Sequence, residues 1–178
     1  MPVLDAYNYS LLSVPAVWLL GIGTHWSAIY LSSVSREIPK FDNVSPRQYV
    51  AEVAKLTKTS KDARQLCRTE AAQQNIFENI GLYAAAIVAG NVARLGTSHM
   101  NKIALGYLVS RFLYVVRGLL QPSSSVLTSY CVATAQVLYI RTDRIKATPL
   151  RSVAYLTSVI LSLGTFVRAG LAFNRALY

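Results

Sequence analysis

The chain alternates between long uncharged stretches and short basic segments. No Asp, Glu, Lys or Arg occurs between residues 6 and 35. An α-helix needs about 20 apolar residues to cross the hydrocarbon core of a bilayer. A cleavable signal peptide would place basic residues before a shorter apolar stretch, but only Asp5 is charged before Arg36. The pattern therefore predicts a retained membrane-spanning helix over residues 10–33.

Three further spans follow from the same pattern. Residues 69–93 are uncharged after Glu78 and contain many small side chains, which let another helix pack closely. The third span covers residues 103–120, and the last covers residues 152–172. The uncharged segment at residues 118–140 has two interpretations: an extension of the third span, broken at a proline, or a separate fifth span.

Two basic loops decide between these topologies. Residues 36–68 carry eight basic and four acidic residues (net +4), and residues 141–151 carry four basic and one acidic residue (net +3). Basic loops stay in the cytosol. Four spans put both loops on that side and both termini on the other, whereas five spans would misplace the second loop. We therefore predict an all-α integral membrane four-helix bundle, a single domain over residues 1–178, with a polar helix at residues 46–64 of the first loop.

The composition supports this class and excludes others. The 178 residues are 53% hydrophobic and 15% charged, against about 25% charged in an average soluble domain. Such a chain is too apolar for disorder, and two cysteines do not make a disulfide scaffold. The net charge of +10 comes from 18 basic and 8 acidic residues. We expect the basic loops to contact anionic lipid rather than nucleic acid, and the sequence contains no metal-ligand cluster.

Polar residues inside the second and third spans are functional candidates, because ionisable groups are costly at membrane depth. At about 100° per residue, Arg68, Asn75 and Glu78 share a helix face about 80° wide. Glu78 needs a cationic partner or a wet cavity, and Arg111 in the third span needs an anion. A Glu78–Arg111 pair satisfies both, and a purely structural ion pair explains these two residues equally well.

Two other residues have a structural and a functional interpretation. His25 lies in the first span, where a packing histidine is favoured over a ligand. Cys67 precedes Arg68 at the predicted start of the second span, an environment that lowers a thiol pKa. Because no partner motif accompanies Cys67, an inert thiol is favoured there.

Four motifs in this order resemble the MAPEG superfamily, the membrane-associated proteins of eicosanoid and glutathione metabolism, and the first resembles its fungal and bacterial branch. They are Val14-Pro15-Ala16-Val17-Trp18 followed by His25, Arg68 followed by Asn75-x-x-Glu78, Ser110-Arg111-Phe112-Leu113-Tyr114, and Leu150-Arg151-Ser152-Val153-Ala154-Tyr155. The likeness covers most of the chain except residues 117–136. Joining Val116 to Val137 gives one continuous apolar helix, so this segment is interpreted as an insertion or an unspliced intron.

The resemblance implies a homotrimer of four-helix subunits in the endoplasmic reticulum membrane. It also implies a glutathione site between neighbouring subunits, near the cytosolic face, and a small lipophilic substrate. Arg151 and Ser152 would be the catalytic residues, because a cation or hydroxyl donor stabilises the reactive thiolate. The cofactor-binding candidates carried over by position are Arg36, Asn75, Glu78, Arg111, Tyr114 and Tyr155.

The chain also departs from the family pattern. Ala71, Ala72 and Gln74 are small or neutral where glutathione-using members commonly carry basic or ring donors, and Gly118 replaces a tyrosine. Each lost charge-assisted contact removes about 1.5–3 kcal/mol. The sequence thus predicts a glutathione-dependent transferase, peroxidase or isomerase. The alternatives are a glutathione-independent isomerase or cyclase of secondary metabolism, using Glu78 or Tyr114 as acid or base, and a non-catalytic membrane scaffold.

Overall fold

The described chain is almost entirely helical. The computed structural model describes residues 7–119 and 148–177, with side chains at residues 7–112 and 155–176. Short 3₁₀ turns precede the first α-helix and follow the second, and no strand occurs in these two ranges. Within these ranges the α-helices are α1 (Ser13–Val34), α2 (Pro46–Lys55), α3 (Lys61–Val92), α4 (Thr97–Leu119) and α5 (Thr148–Leu177).

The helix α3 begins well before the predicted second span. Ser60 starts it as an N-cap, because its Oγ accepts a hydrogen bond from the backbone N–H of Ala63 at 3.1 Å. The predicted polar helix at residues 46–64 is therefore divided: α2 ends at Lys55, and the last residues belong to α3. With 32 residues and a rise of about 1.5 Å per residue, α3 is roughly 48 Å long, which exceeds the bilayer core.

A tight turn joins α3 to α4. Arg94 adopts a left-handed backbone conformation with φ of 53°. Its N–H donates to the carbonyl of Asn91, and the N–H of Leu95 donates to the carbonyl of Gly90, both at 3.0 Å. These two bonds form a Schellman motif, which satisfies the last carbonyls of a helix. The motif reverses the chain so that α4 packs antiparallel to α3.

Two hydrophobic clusters hold the helices together. One joins α1, α3 and α4 and includes Val17, Ile76, Ile87 and Met100. The other lies beneath the loop that follows α1 and joins this loop and α2 to α1 and α3; it contains Ala28, Ile38, Tyr49, Val53, Ala63 and Leu66. The second cluster fixes the basic loop against the first half of α3.

Two of the described helical segments are long and apolar enough to cross a membrane, Ser10–Val34 and Tyr155–Ala176. Both present large apolar side chains outwards: Trp26 is 68% exposed and Ile160 is 65% exposed. Such a surface is typical of contact with lipid or another protein. The helices α3 and α4 do not reach the same hydropathy within the described residues, so the spans at residues 69–93 and 103–120 stay predictions.

Candidate functional site

An open groove of about 780 Å³ lies between α1, the loop after it, α2 and the first half of α3. The α3 wall presents Glu70, Gln74, Phe77 and Glu78, whose spacing of four, three and one places them on one helix face. The described residues that line it are His25, Phe41, Pro46, Arg47, Val50, Cys67, Glu70, Ala71, Gln73, Gln74, Phe77 and Glu78. The groove is thus partly apolar and partly polar, and it lies beside the basic loop.

A histidine–carboxylate pair lies in this groove. His25 Nδ1 is 3.0 Å from Glu70 Oε1. The imidazole edge packs against Phe41, whose ring packs edge-on against Tyr49. Glu70 was not among the predicted site residues, and a packing role was favoured for His25. The helical spacing could have identified Glu70, because it lies one turn before Gln74 and two turns before Glu78 on the same helix face.

The expected thiol environment at Cys67 is wrong. Cys67 lies inside α3, which begins at Lys61, and not at a helix start. Burial raises the pKa of the Cys67 thiol, and the nearby Glu70 carboxylate raises it further. Cys67 is therefore held as the neutral thiol, in keeping with the inert role favoured from the sequence.

Arg111 is the centre of a buried polar cluster. Its side chain is 2% exposed, and one guanidinium N–H donates to Asn75 Oδ1 at 2.6 Å. Another N–H donates to the hydroxyl of Ser158. The guanidinium carbon lies 5.2 Å from the centre of the Tyr107 ring, within range of a cation–π interaction. The cluster links α3, α4 and α5.

Ser158 is a second residue that the sequence analysis missed. It follows Tyr155 by three positions and Arg151 by seven, which places all three on one face of α5. Ser158 Oγ also donates to the carbonyl of Tyr155 at 2.7 Å. The same face that carries the family motif therefore supplies the hydroxyl that holds Arg111.

The expected pairing of Glu78 with Arg111 is wrong. The Glu78 carboxylate is exposed and accepts a hydrogen bond from Gln74 Nε2 at 2.9 Å. A different carboxylate of the groove, that of Glu70, contacts His25, at 3.0 Å. The reason is rotation about α3: Asn75 faces α4, while Glu78, about 60° away, faces the groove.

The remaining predicted site residues lie in different parts of the chain, and the structure describes only some of their side chains. Arg36 follows α1, is exposed and does not line the groove. Tyr155 is 41% exposed on α5. The structure does not describe the side chains of Tyr114, Arg151 and Ser152. Gly118 and the segment with two interpretations, residues 118–140, also lie outside the described side chains. Of the departures from the family pattern, Ala71 and Gln74 face the groove, whereas Ala72 is fully buried in the core.

Helical architecture, apolar outer surfaces and a buried polar cluster define a class of helical membrane proteins. The model of the MAPEG family matches residues 15–140, and the chain belongs to the MAPEG family. The match includes Asn75, Glu78 and Arg111 and ends before Arg151. No curated protein and no solved structure gives a significant match. The family and the two apolar helices together indicate a membrane protein.

Proposed function

We propose that the protein is a membrane-bound, glutathione-dependent transferase, peroxidase or isomerase that acts on a small lipophilic substrate. Family membership supports this class. One structural observation carries the proposal: a single short stretch of α3, residues 70–78, faces both the open groove and the buried Arg111. This stretch brings charged groups for a peptide next to apolar surface for a lipophilic partner.

The chemistry of glutathione matches these groups. At neutral pH the tripeptide carries two carboxylates and one ammonium group. A guanidinium binds a carboxylate through two parallel hydrogen bonds, so Arg111 and Arg36 are assigned to the carboxylates. Glu78 is assigned to the ammonium group, and Asn75 orients Arg111.

The thiol end of the tripeptide is assigned to α5. In the proposal Arg151 and Ser152 stabilise the thiolate, the reactive form of the thiol. Tyr114 and Tyr155 complete the proposed binding set. The proposal further includes a homotrimer with sites between subunits, residence in the endoplasmic reticulum with both termini in the lumen, and entry of substrate from the bilayer.

A second candidate function omits the cofactor. Ala71 and Gln74 line the groove without charge, at positions where glutathione-using relatives commonly hold charged or ring donors. This observation favours a glutathione-independent isomerase or cyclase of a hydrophobic metabolite in the same groove. If the protein has neither the glutathione-dependent nor the glutathione-independent activity, the remaining interpretation is a non-catalytic membrane scaffold.

Calorimetric titration with glutathione and a conjugation assay with a lipophilic aryl halide test the proposal on detergent-purified protein. We expect binding at millimolar concentration or tighter and formation of the thioether conjugate. Arg111→Gln should weaken glutathione binding, whereas Arg175→Gln, at the exposed end of α5, should not. Absence of binding at millimolar glutathione by a folded sample would contradict the glutathione-dependent form.

A further inference from the structure

We propose that His25 and Glu70 form a proton-transfer pair that acts on a neutral lipophilic carbonyl compound in the groove. His25 is the general base, and Glu70 is a positioning residue. The inference uses the groove of the proposed function but does not require glutathione. It deepens the second candidate by assigning the base to His25 and its orientation to Glu70, a residue that none of the four motifs includes.

The hydrogen bond between the two side chains determines which imidazole nitrogen can react. An ionised carboxylate accepts only, so Nδ1–H of His25 donates to Glu70 Oε1, at 3.0 Å. Nε2 then carries the lone pair, and no described protein group forms a hydrogen bond with it. A histidine base oriented by a carboxylate through its other nitrogen is an arrangement that recurs in enzymes that use histidine as a general base.

The imidazole is also fixed sterically. The Phe41 ring meets it at 79° with 6.0 Å between ring centres, and Phe41 in turn packs against Tyr49. Tyr49 is buried, and its hydroxyl donates to the carbonyl of Pro39 at 3.0 Å. The side chains of His25 and Glu70 keep 28% and 16% of their surface exposed. The base is therefore held rigidly but stays accessible from the groove.

The lining of the groove indicates the chemical class of the ligand. Among the described lining residues, Glu70 and Glu78 contribute two negative charges against one positive charge from Arg47. This part of the lining disfavours anionic groups, and the proposed function assigns the carboxylates of glutathione to Arg111 and Arg36, which are not among these residues. Phe41 and Phe77 supply apolar walls, and a volume of about 780 Å³ lies in the range of small-molecule sites. A neutral, largely apolar ligand with one polar group fits these features.

The reaction is a 1,3-proton shift. Nε2 of His25 removes a proton from the carbon between a carbonyl and a C=C bond, and the C–H electron pair delocalises into a dienolate. The resulting imidazolium is stabilised by the Glu70 carboxylate. The proton then returns from Nε2 to the far end of the dienolate, which forms a new C–H bond and a conjugated enone. Substrate and product are isomers, so no oxidant or reductant is needed.

The test uses an alkyl-substituted cyclohex-3-enone in detergent micelles as the probe. Two readouts are followed: ultraviolet absorbance of the conjugated enone and deuterium incorporation from heavy water. A positioned general base contributes about 10²–10⁴-fold, so His25→Gln should lower the rate by a factor in that range. Added imidazole should restore part of the rate of His25→Ala. The control His99→Gln, which changes the other histidine, should isomerise the probe at the rate of the unchanged protein.

Glu70 variants separate positioning from packing. Glu70→Asp should retain more of the rate than Glu70→Gln, because it preserves the negative charge beside the imidazolium. A rate in folded His25→Gln equal to that of the unchanged protein overturns the inference. Loss of the rate in His25→Ala without any recovery in imidazole also overturns it, because a structural role would give that result.

Calorimetry with glutathione on the same samples keeps this inference separate from the proposed function. Histidine-dependent isomerisation without glutathione binding supports the proton-transfer pair and contradicts the glutathione-dependent enzyme. Glutathione binding without histidine-dependent isomerisation does the reverse. If His25→Gln abolishes glutathione binding in a folded protein, the histidine is a cofactor ligand and the inference is wrong.

Discussion

Arg111 donates a hydrogen bond to Asn75 Oδ1 at 2.6 Å, and this contact joins α3 to α4. A neutral amide, and not the nearby Glu78 carboxylate, therefore holds the guanidinium on the α3 side. Arg111 is almost completely buried. The amide therefore orients the guanidinium towards α3.

Replacing Asn75 with alanine should destabilise the protein. The change removes an acceptor from a buried guanidinium, and hydrogen bonds to charged groups contribute about 1.5–3 kcal/mol. The free energy of unfolding in detergent should fall by about that amount. Asn43→Ala, in an exposed loop, is the matched control and should change little. Equal effects of the two substitutions would show that the Asn75–Arg111 contact does not stabilise the fold.

Substitution of Gly90 tests the close approach of α3, α4 and α5. A Cβ at this position would lie 2.6 Å from Sδ of the fully buried Met100 and 3.1 Å from Thr165 Cγ2. Overpacking typically costs about 1–3 kcal/mol, so Gly90→Ala should lower the midpoint of thermal unfolding. Gly81→Ala has nothing within 4 Å of the new Cβ.

The midpoint of thermal unfolding should rise in the Gly81→Ala control, because alanine is favoured over glycine within a helix by about 0.5–1 kcal/mol. If both glycine variants raise the thermal midpoint, the packing of Met100 against α3 described above is incorrect.

Acidification should destabilise the protein through His99. Burial lowers the pKa of His99 from its ordinary value of 6.5, and Arg168 and Lys102 lower it further. The folded state therefore favours the neutral ring, which accepts a hydrogen bond from Arg168 Nη1 at 3.1 Å. The contribution of His99 to the free energy of unfolding is complete above about pH 6.5. It is lost as the pH falls towards the pKa of His99 in the folded protein.

Thermal unfolding between pH 7.5 and pH 5, on either side of the ordinary histidine pKa of about 6.5, measures this contribution. His99→Gln should remove it. Arg168→Gln should reduce it, because one cation beside the ring is lost. An unchanged pH dependence in His99→Gln would assign the effect to other groups.

The Cys67 thiol should react slowly with maleimide near neutral pH. Its pKa is raised by burial and by Glu70, and the thiolate is the reactive form. Glu70→Gln should lower this pKa and accelerate alkylation at a fixed pH. Glu52→Gln, on the exposed side of α2, should not. Mass spectrometry of the modified cysteine over time gives the rates, and equal rates in both variants would exclude the electrostatic effect.

The apolar pattern was sufficient to place the outer helices. Residues 10–33 and 152–172 were predicted as spans, and the apolar segments are Ser10–Val34 and Tyr155–Ala176. These segments are mostly uncharged, with Arg168 and Arg175 as the only charged residues of the second, so hydropathy alone reveals them. The early start of α3 was missed because one cap residue, Ser60, determines it, and a local cap is hidden within a long polar segment.

The site was predicted less completely for a different reason. Helical spacing places Asn75 and Glu78 near one another, but it does not say which neighbour each side chain meets. The pairs His25–Glu70 and Arg111–Ser158 join residues 45 and 47 positions apart. Such pairs depend on how helices are rotated against each other, which packing determines and periodicity does not.

A structure of the protein with saturating glutathione would show directly whether and where the tripeptide binds. We expect tripeptide density against residues 70–78 of α3, with a carboxylate within hydrogen-bonding distance of a guanidinium and the thiol near Arg151. Lipid or solvent alone at that surface, or glutathione bound on a different helix, would contradict it.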